Sequence, residues 1–152
     1  MTAPDTARPL VSVIMANFRG AAHLEAAMRA VLAQSERRLE LILADDASDD
    51  DSVAIARAVA EGDGRVRVIA SARNGGPAAT RNLALDAARG DWIAIVDSDD
   101  LIHPELICLA TAPASKEDAI RQAYSHRPLL LIDRTLGKFP AVISDPGPGM
   151  HK

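Results

Sequence analysis

Asp97, Asp99 and Asp100 put three carboxylates into the four-residue run Asp97-Ser98-Asp99-Asp100. Two ionised carboxylates 4 Å apart repel by about 4 kcal/mol at an effective dielectric near 20. A divalent cation relieves that repulsion, and hard oxygen donors suit Mg²⁺ or Mn²⁺. Mg²⁺ usually takes only one or two protein carboxylates and fills its shell with phosphate oxygens and water, so the run suits a metal-bound diphosphate. The competing reading is structural: Ser98 or Asp99 caps a helix that starts near Leu101.

A second acidic run, Asp45-Asp46-Ala47-Ser48-Asp49-Asp50-Asp51, divides in two. Asp49 to Asp51 read as acids at a helix N-terminus, where they complement the macrodipole. Asp46, at the end of an apolar run, is the candidate for hydrogen bonding a base or ribose. Arg81 and Asn82 form a polar pair early in a helical stretch; Arg81 could balance an acidic site or simply lie on the surface. Arg19 and Arg73 carry less. His23 and His103 lack metal-ligand spacing. Cys108 has no Cys or His partner nearby, and Trp92 reads as core.

The elements that must hold these residues alternate. Leu10 to Ala16, Leu39 to Ala44, Val66 to Ala70 and Trp92 to Val96 are short apolar runs, read as buried strands. Between them, Ala21 to Gln34 carries a helical stripe at Leu24, Met28, Val31 and Leu32. A second helix runs through Val53, Ile55, Ala56 and Val59, with N-cap side chains offered by Ser48 and Asp49 to Ser52. Asn74-Gly75-Gly76-Pro77 reads as a turn leading into a helix over Ala78 to Ala88. Such alternation predicts βαβ units and a mainly parallel sheet flanked by helices. Ligands of these sheets bind outside the carboxyl ends of the strands, and Asn17, Asp45-Asp46 and Asp97 to Asp100 all fall there. After Pro104 the pattern weakens to a short helix over Pro104 to Leu109, a helix from Ser115 to Tyr124, a strand over Leu129 to Ile132 and a loose tail.

Composition narrows the class. The 152 residues fit one domain at roughly 150 residues per domain. Hydrophobic residues at 48% and charged residues at 25% are globular values. A net charge of −4 argues against sequence-independent nucleic-acid binding. One cysteine excludes an internal disulfide. No apolar run reaches the roughly 18–20 residues of a membrane span, and no apolar signal core precedes Pro9, so a cytoplasmic protein without an integral membrane segment is expected. The negative charge lies in residues 1–107, whereas 108–152 hold every lysine, which sets a boundary near residue 108. Three rival folds lose ground. A dinucleotide-binding Rossmann turn needs Gly-x-Gly-x-x-Gly, and Ala16 to Ala22 has only Gly20. A P-loop, or the lysine of a phospho-receiver domain, is ruled out because no lysine precedes Lys116.

Four blocks together carry a resemblance: Val11-Ser-Val-Ile-Met-Ala-Asn-Phe18, Leu39-Glu-Leu-Ile-Leu-Ala-Asp-Asp-Ala-Ser-Asp49, Asn74-Gly-Gly-Pro-Ala-Ala-Thr-Arg-Asn-Leu-Ala84 and Gly90-Asp-Trp-Ile-Ala-Ile-Val-Asp-Ser-Asp-Asp100. In this order and spacing they resemble the donor half of family 2 glycosyltransferases over about residues 9–107. The resemblance implies a Rossmann-like GT-A fold and a nucleotide-sugar donor, most simply a UDP-sugar. It implies that Asn17 and Phe18 lie where the first strand opens onto the nucleotide, that Asp46 hydrogen-bonds the base and that Arg81 lies near the nucleotide. It places Asp97 near the ribose and metal, and makes Asp99 the ligand of Mg²⁺ or Mn²⁺. Asn17-Phe18-Arg19 stands where the family more often has Thr-Tyr-Asn, and Ala47 where Gly is common. Inverting members carry a catalytic base in a second half that also binds the acceptor, and no such motif is found after residue 108. The expectation is a truncated glycosyltransferase: a nucleotide-sugar-binding half over 1–107 and a divergent segment over 108–152. Its acceptor would be a carbohydrate or lipid-linked hydroxyl, which adds the periphery of the inner membrane as a location. A shortened sheet with an uncovered face would favour a homo-oligomer. The alternative is a non-catalytic module that keeps the nucleotide pocket without turnover.

Overall fold

A computed structural model describes residues 10–110 and 130–133. The elements run β1 (Val11–Asn17), α1 (Leu24–Leu32), β2 (Leu39–Asp45), α2 (Ser52–Gly62), β3 (Val66–Ala70), α3 (Pro77–Ala87), β4 (Trp92–Ile95), α4 (Leu106–Ala110) and β5 (Leu130–Asp133). They form one sheet of order β3-β2-β1-β4-β5, with β1 to β4 parallel and β5 antiparallel to β4. The expected helix over Ser115 to Tyr124 and the expected tail lie outside the described residues.

Side chains alternate across the strands, and the two faces take different helices. Val11, Val13 and Met15 of β1 join Leu41, Leu43, Leu24, Met28, Val31, Ala56 and Val59 in a core beneath α1 and α2, with Ile107 of α4 at its edge. Ile14, Ile42, Ala44, Ile93 and Ile95 meet Ala84, Leu85 and Ala88 beneath α3. Trp92 is half-buried and packs against the first core.

Several boundaries differ from those the sequence predicts. β1 and β2 each extend one polar residue further, to Asn17 and Asp45, which face each other in register. The Asn17 side-chain amide donates to Asp45 Oδ1 at 2.9 Å, and this bond lets both polar groups be buried. α1 starts three residues late, because the Ala21 N–H goes to Asp50 Oδ2 at 3.1 Å while His23 and Leu24 N–H close a turn on the Gly20 carbonyl. Asp51 is the N-cap of α2 but makes no side-chain cap bond; Asp50 Oδ1 instead accepts the Ser52 N–H at 3.0 Å.

The amino edge of the sheet holds a closed polar network on the α3 face. Glu40, 8% exposed, accepts the Ser12 hydroxyl at 2.6 Å, the Arg89 N–H at 2.7 Å and Arg67 Nη2 at 2.9 Å. Arg67 Nη2 also donates to the Ala87 carbonyl at 2.6 Å, at the end of α3. The Gly90 N–H donates to Ser12 Oγ at 2.7 Å. A Cβ on Gly90 would lie 2.6 Å from Ser12 N, so the chain passes here only as glycine. Burial pushes the Glu40 carboxyl up, but the bonds from Ser12, Arg89 and Arg67 outweigh it and hold the group below its ordinary value of 4.5.

Candidate donor-binding site

At the carboxyl edge, two adjacent acids build two walls. Asp45 is fully buried and faces inward. It receives Asn17, and it also receives both the N–H (2.9 Å) and the hydroxyl (2.7 Å) of Ser48. Ser48 Oγ in turn accepts the Arg19 N–H at 2.8 Å. The Arg19 guanidinium clasps Asp49 through two bonds of 2.8 and 3.1 Å and lies 4.9 Å from the centre of the Phe18 ring. Asp49 and Asp50 are therefore structural, as the sequence suggests. Arg19 and Ala47 both sit in the left-handed region, at φ of 53° and 57°. Gly20 is held close: a Cβ there would collide with Asn17 Oδ1 and come within 3.4 Å of Ser98 Oγ.

Asp46 builds the other wall. Its carboxylate accepts the Gly75 N–H at 2.7 Å and the Gly76 N–H at 3.0 Å, and Asn74 Nδ2 donates to its carbonyl at 3.3 Å. Gly76 is left-handed, φ +89°, and serves as N-cap of α3 directly before Pro77. Thr80 Oγ1 returns a bond to the Gly76 carbonyl at 2.7 Å. Between the walls lies a cavity of about 260 Å³ lined by Asn17, Phe18, Asp46, Asn74, Thr80 and Arg81 among others. Asn17 Oδ1 is buried and meets no partner among the described residues.

Arg81 joins this cavity to the acidic run, with Nη2 3.3 Å from Asp97 Oδ1. Asp97, Asp99 and Asp100 each bring a carboxylate oxygen within 4.8 Å of the others. Burial, then the charges of Asp99 and Asp97, push the Asp100 carboxyl up from its ordinary value. The residues singled out in the sequence thus come together: Asn17, Phe18, Asp46 and Arg81 around the cavity, Asp97 and Asp99 at its acidic end. Sequence patterns assign no role of their own to three contributors. Asp45 works through bonds that its neighbour Asp46 does not share. Asn74 and Thr80 were read only as turn and helix, although a Gly-Gly-Pro helix start after Asn74 is a signal for exposed N–H donors. Among the described residues no His or Cys joins the acidic group.

The glycosyl transferase family 2 model matches residues 12–127, and the chain belongs to that family. Among its relatives is a protein of Haemophilus influenzae described as an uncharacterized glycosyltransferase, 42% identical over 94 residues, which are 62% of this chain and 38% of that one. Succinoglycan biosynthesis protein ExoO of Rhizobium meliloti is 40% identical over 97 residues, 64% of this chain and 27% of ExoO. The chain thus spans less than two fifths of the length of these relatives. Its fold is the GT-A fold. TarS of S. aureus, solved with UDP, superposes with a TM-score of 0.63 at 28% identity over 68% of this chain and 31% of TarS. The mannosyltransferase PcManGT of Pyrobaculum calidifontis, solved with GDP-Man and Mn²⁺, superposes with a TM-score of 0.71 at 24% identity over 92% of this chain and 50% of PcManGT. No helix among the described residues is long and apolar enough to cross a membrane.

Proposed function

We propose that the chain binds a nucleoside-diphosphate sugar, with a UDP-sugar as the favoured donor, for transfer of the sugar to an acceptor hydroxyl. One observation carries this reading: Arg81 lines the cavity beside Asp46 and contacts Asp97 of the three-carboxylate run, linking the two. Family membership and the likeness to a UDP-bound structure support it.

The Gly75 and Gly76 N–H groups fix the orientation of the Asp46 carboxylate and leave lone pairs for the N–H edge of a base. Asn17 Oδ1, buried without a partner, is an acceptor that a ligand donor would satisfy. Phe18, 47% exposed, offers an aromatic face beside the cavity. Arg81 supplies positive charge between base and diphosphate. Asp97 lies where it could accept from a ribose hydroxyl or share a cation with Asp99.

The acidic run fits Mg²⁺ or Mn²⁺: its donors are all hard oxygens, and burial, with the charges of Asp99 and Asp97, pushes the Asp100 carboxyl above its ordinary value. A divalent ion held there by Asp99, with Asp97 or Asp100, would stabilise negative charge developing on the departing nucleoside diphosphate. Deprotonation of the acceptor, a carbohydrate or lipid-linked hydroxyl, requires a general base; residues 1–107 would form the donor half, and the sequence assigns no base after 108. Work on a lipid-linked acceptor would place the protein in the cytoplasm or at the inner face of the membrane.

A non-catalytic module that binds the donor without turnover is the second reading, favoured by a described site whose residues all lie on the donor side. Calorimetric titration with UDP and Mn²⁺ tests the shared part. Binding that Asp99→Ala weakens supports both readings, and no heat overturns both. Metal-dependent hydrolysis or transfer of UDP-sugar then selects the enzyme over the module.

A further inference from the structure

The acidic run is suspended between two anchors. In front, Val96 extends β4 and donates its N–H to the Ile14 carbonyl at 3.1 Å. Behind, the chain returns to the core through Ile102, 6% exposed, and Ile107, fully buried. What fixes that return is a side chain from a distant connection. Gln34, 1% exposed and just past the end of α1, donates Nε2 to the His103 carbonyl at 2.8 Å and to the Ala30 carbonyl at 3.2 Å. Its Oε1 accepts the Ile107 N–H at 3.1 Å, in the first turn of α4. The next residue adds a backbone bond, Ser35 N–H to the Pro104 carbonyl at 2.8 Å.

We infer that Gln34 is a positioning residue for the acidic run, pinning residues 103–107 so that Asp97, Asp99 and Asp100 stay converged before a cation and diphosphate arrive. This rests on the donor-site reading above. Three carboxylates so close push each other apart, and a five-residue loop yields to that push unless both ends are fixed. Among the described residues the Gln34 side chain bonds backbone groups of 30, 103 and 107 and no carboxylate. Its influence on the site therefore runs through the loop. The bond to the Ile107 N–H is buried and those to the Ala30 and His103 carbonyls are partly buried, so losing them costs more than at an exposed site.

The test uses the full chain, wild type and Gln34→Met, which keeps the volume and removes the bonds. UDP affinity is measured by calorimetry with and without Mn²⁺, and amide hydrogen exchange is followed in the metal-free protein. The expected result is a Kd for UDP about tenfold weaker with Mn²⁺ and within about twofold of wild type without it. Exchange should speed up at Ile107 while β1 and β2 amides keep their protection. Loss of affinity equal with and without Mn²⁺ would mark a merely structural role and overturn the inference, as would a folded Gln34→Met protein with wild-type Mn²⁺ enhancement. If Gln34→Met does not fold, Gln34→Glu decides: it keeps the acceptor for Ile107 and loses the donor to His103, and undiminished Mn²⁺ enhancement overturns the inference. A wild type without Mn²⁺-enhanced binding overturns the donor-site reading instead, and exchange at Ile107 then decides the clamp alone, unchanged protection overturning it.

Discussion

Carboxylates stand at both ends of the sheet, one at the amino edge and a cluster at the carboxyl edge, and the two ends treat them in opposite ways. At the amino edge Glu40 is buried, receives three donors and is held below its ordinary value. At the carboxyl edge Asp97, Asp99 and Asp100 face one another, and Asp100 is pushed above its ordinary value. The first arrangement is complete without a ligand and ties β1, β2, β3 and the α3–β4 connection together. The second is left unbalanced in the protein alone, which is the state expected of a site that a cation completes. On the donor-site reading, the same residue chemistry would serve stability at one edge and recognition at the other.

Substitutions at the two edges should separate those roles. The largest effect is expected from Gly90→Ala, whose Cβ would press on Ser12 N at 2.6 Å and the Leu10 carbonyl at 2.8 Å. It should destabilise the fold by about 3 kcal/mol, read as a shifted denaturation midpoint. Glu40→Gln turns an acceptor into a partial donor facing Arg67 and the Arg89 N–H, and should cost about 2 kcal/mol at neutral pH. Because the folded-state value of Glu40 is lowered, its contribution is present above 4.5 and fades as pH falls through the lower folded value. Wild type and Glu40→Gln should therefore converge in stability on acidification, while UDP affinity per folded molecule stays the same. A constant gap down the acid limb would show that the ionised carboxylate contributes nothing specific.

At the other edge the signs reverse. Asp99→Asn should weaken Mn²⁺-supported UDP binding about tenfold or more, yet raise the thermal midpoint of the metal-free protein by relieving repulsion. A lowered midpoint would mean the cluster is held by something other than a compromise for binding. The smallest effect is expected from Ala47→Gly. Ala47 sits at φ +57° without the freedom of glycine, so glycine should stabilise the fold by about 1 kcal/mol, visible in urea midpoints.

Much of this was legible in the sequence because it is local. Apolar runs and their polar ends located four strands, and the ends located Asn17, Asp46 and Asp97. β5 was displaced by only one residue from the expected Leu129 to Ile132. The rest depends on bonds between residues far apart in the chain. Gln34 reaches His103 and Ile107 across separations of 69 and 73 residues, and Gly90 reaches Ser12 across 78. No local period encodes such bonds. Asp45 was hidden differently: next to Asp46 and of the same type, it differs only in pointing inward to Asn17 and Ser48.

The contact between Arg81 and Asp97 gives the pocket a form of crosstalk. A cation that draws Asp97 toward itself would release a guanidinium into the nucleoside end, and an occupant there that engages Arg81 would free a ligand for the cation. By thermodynamic reciprocity each would strengthen the other by the same factor, so the order of arrival would not alter the final affinity.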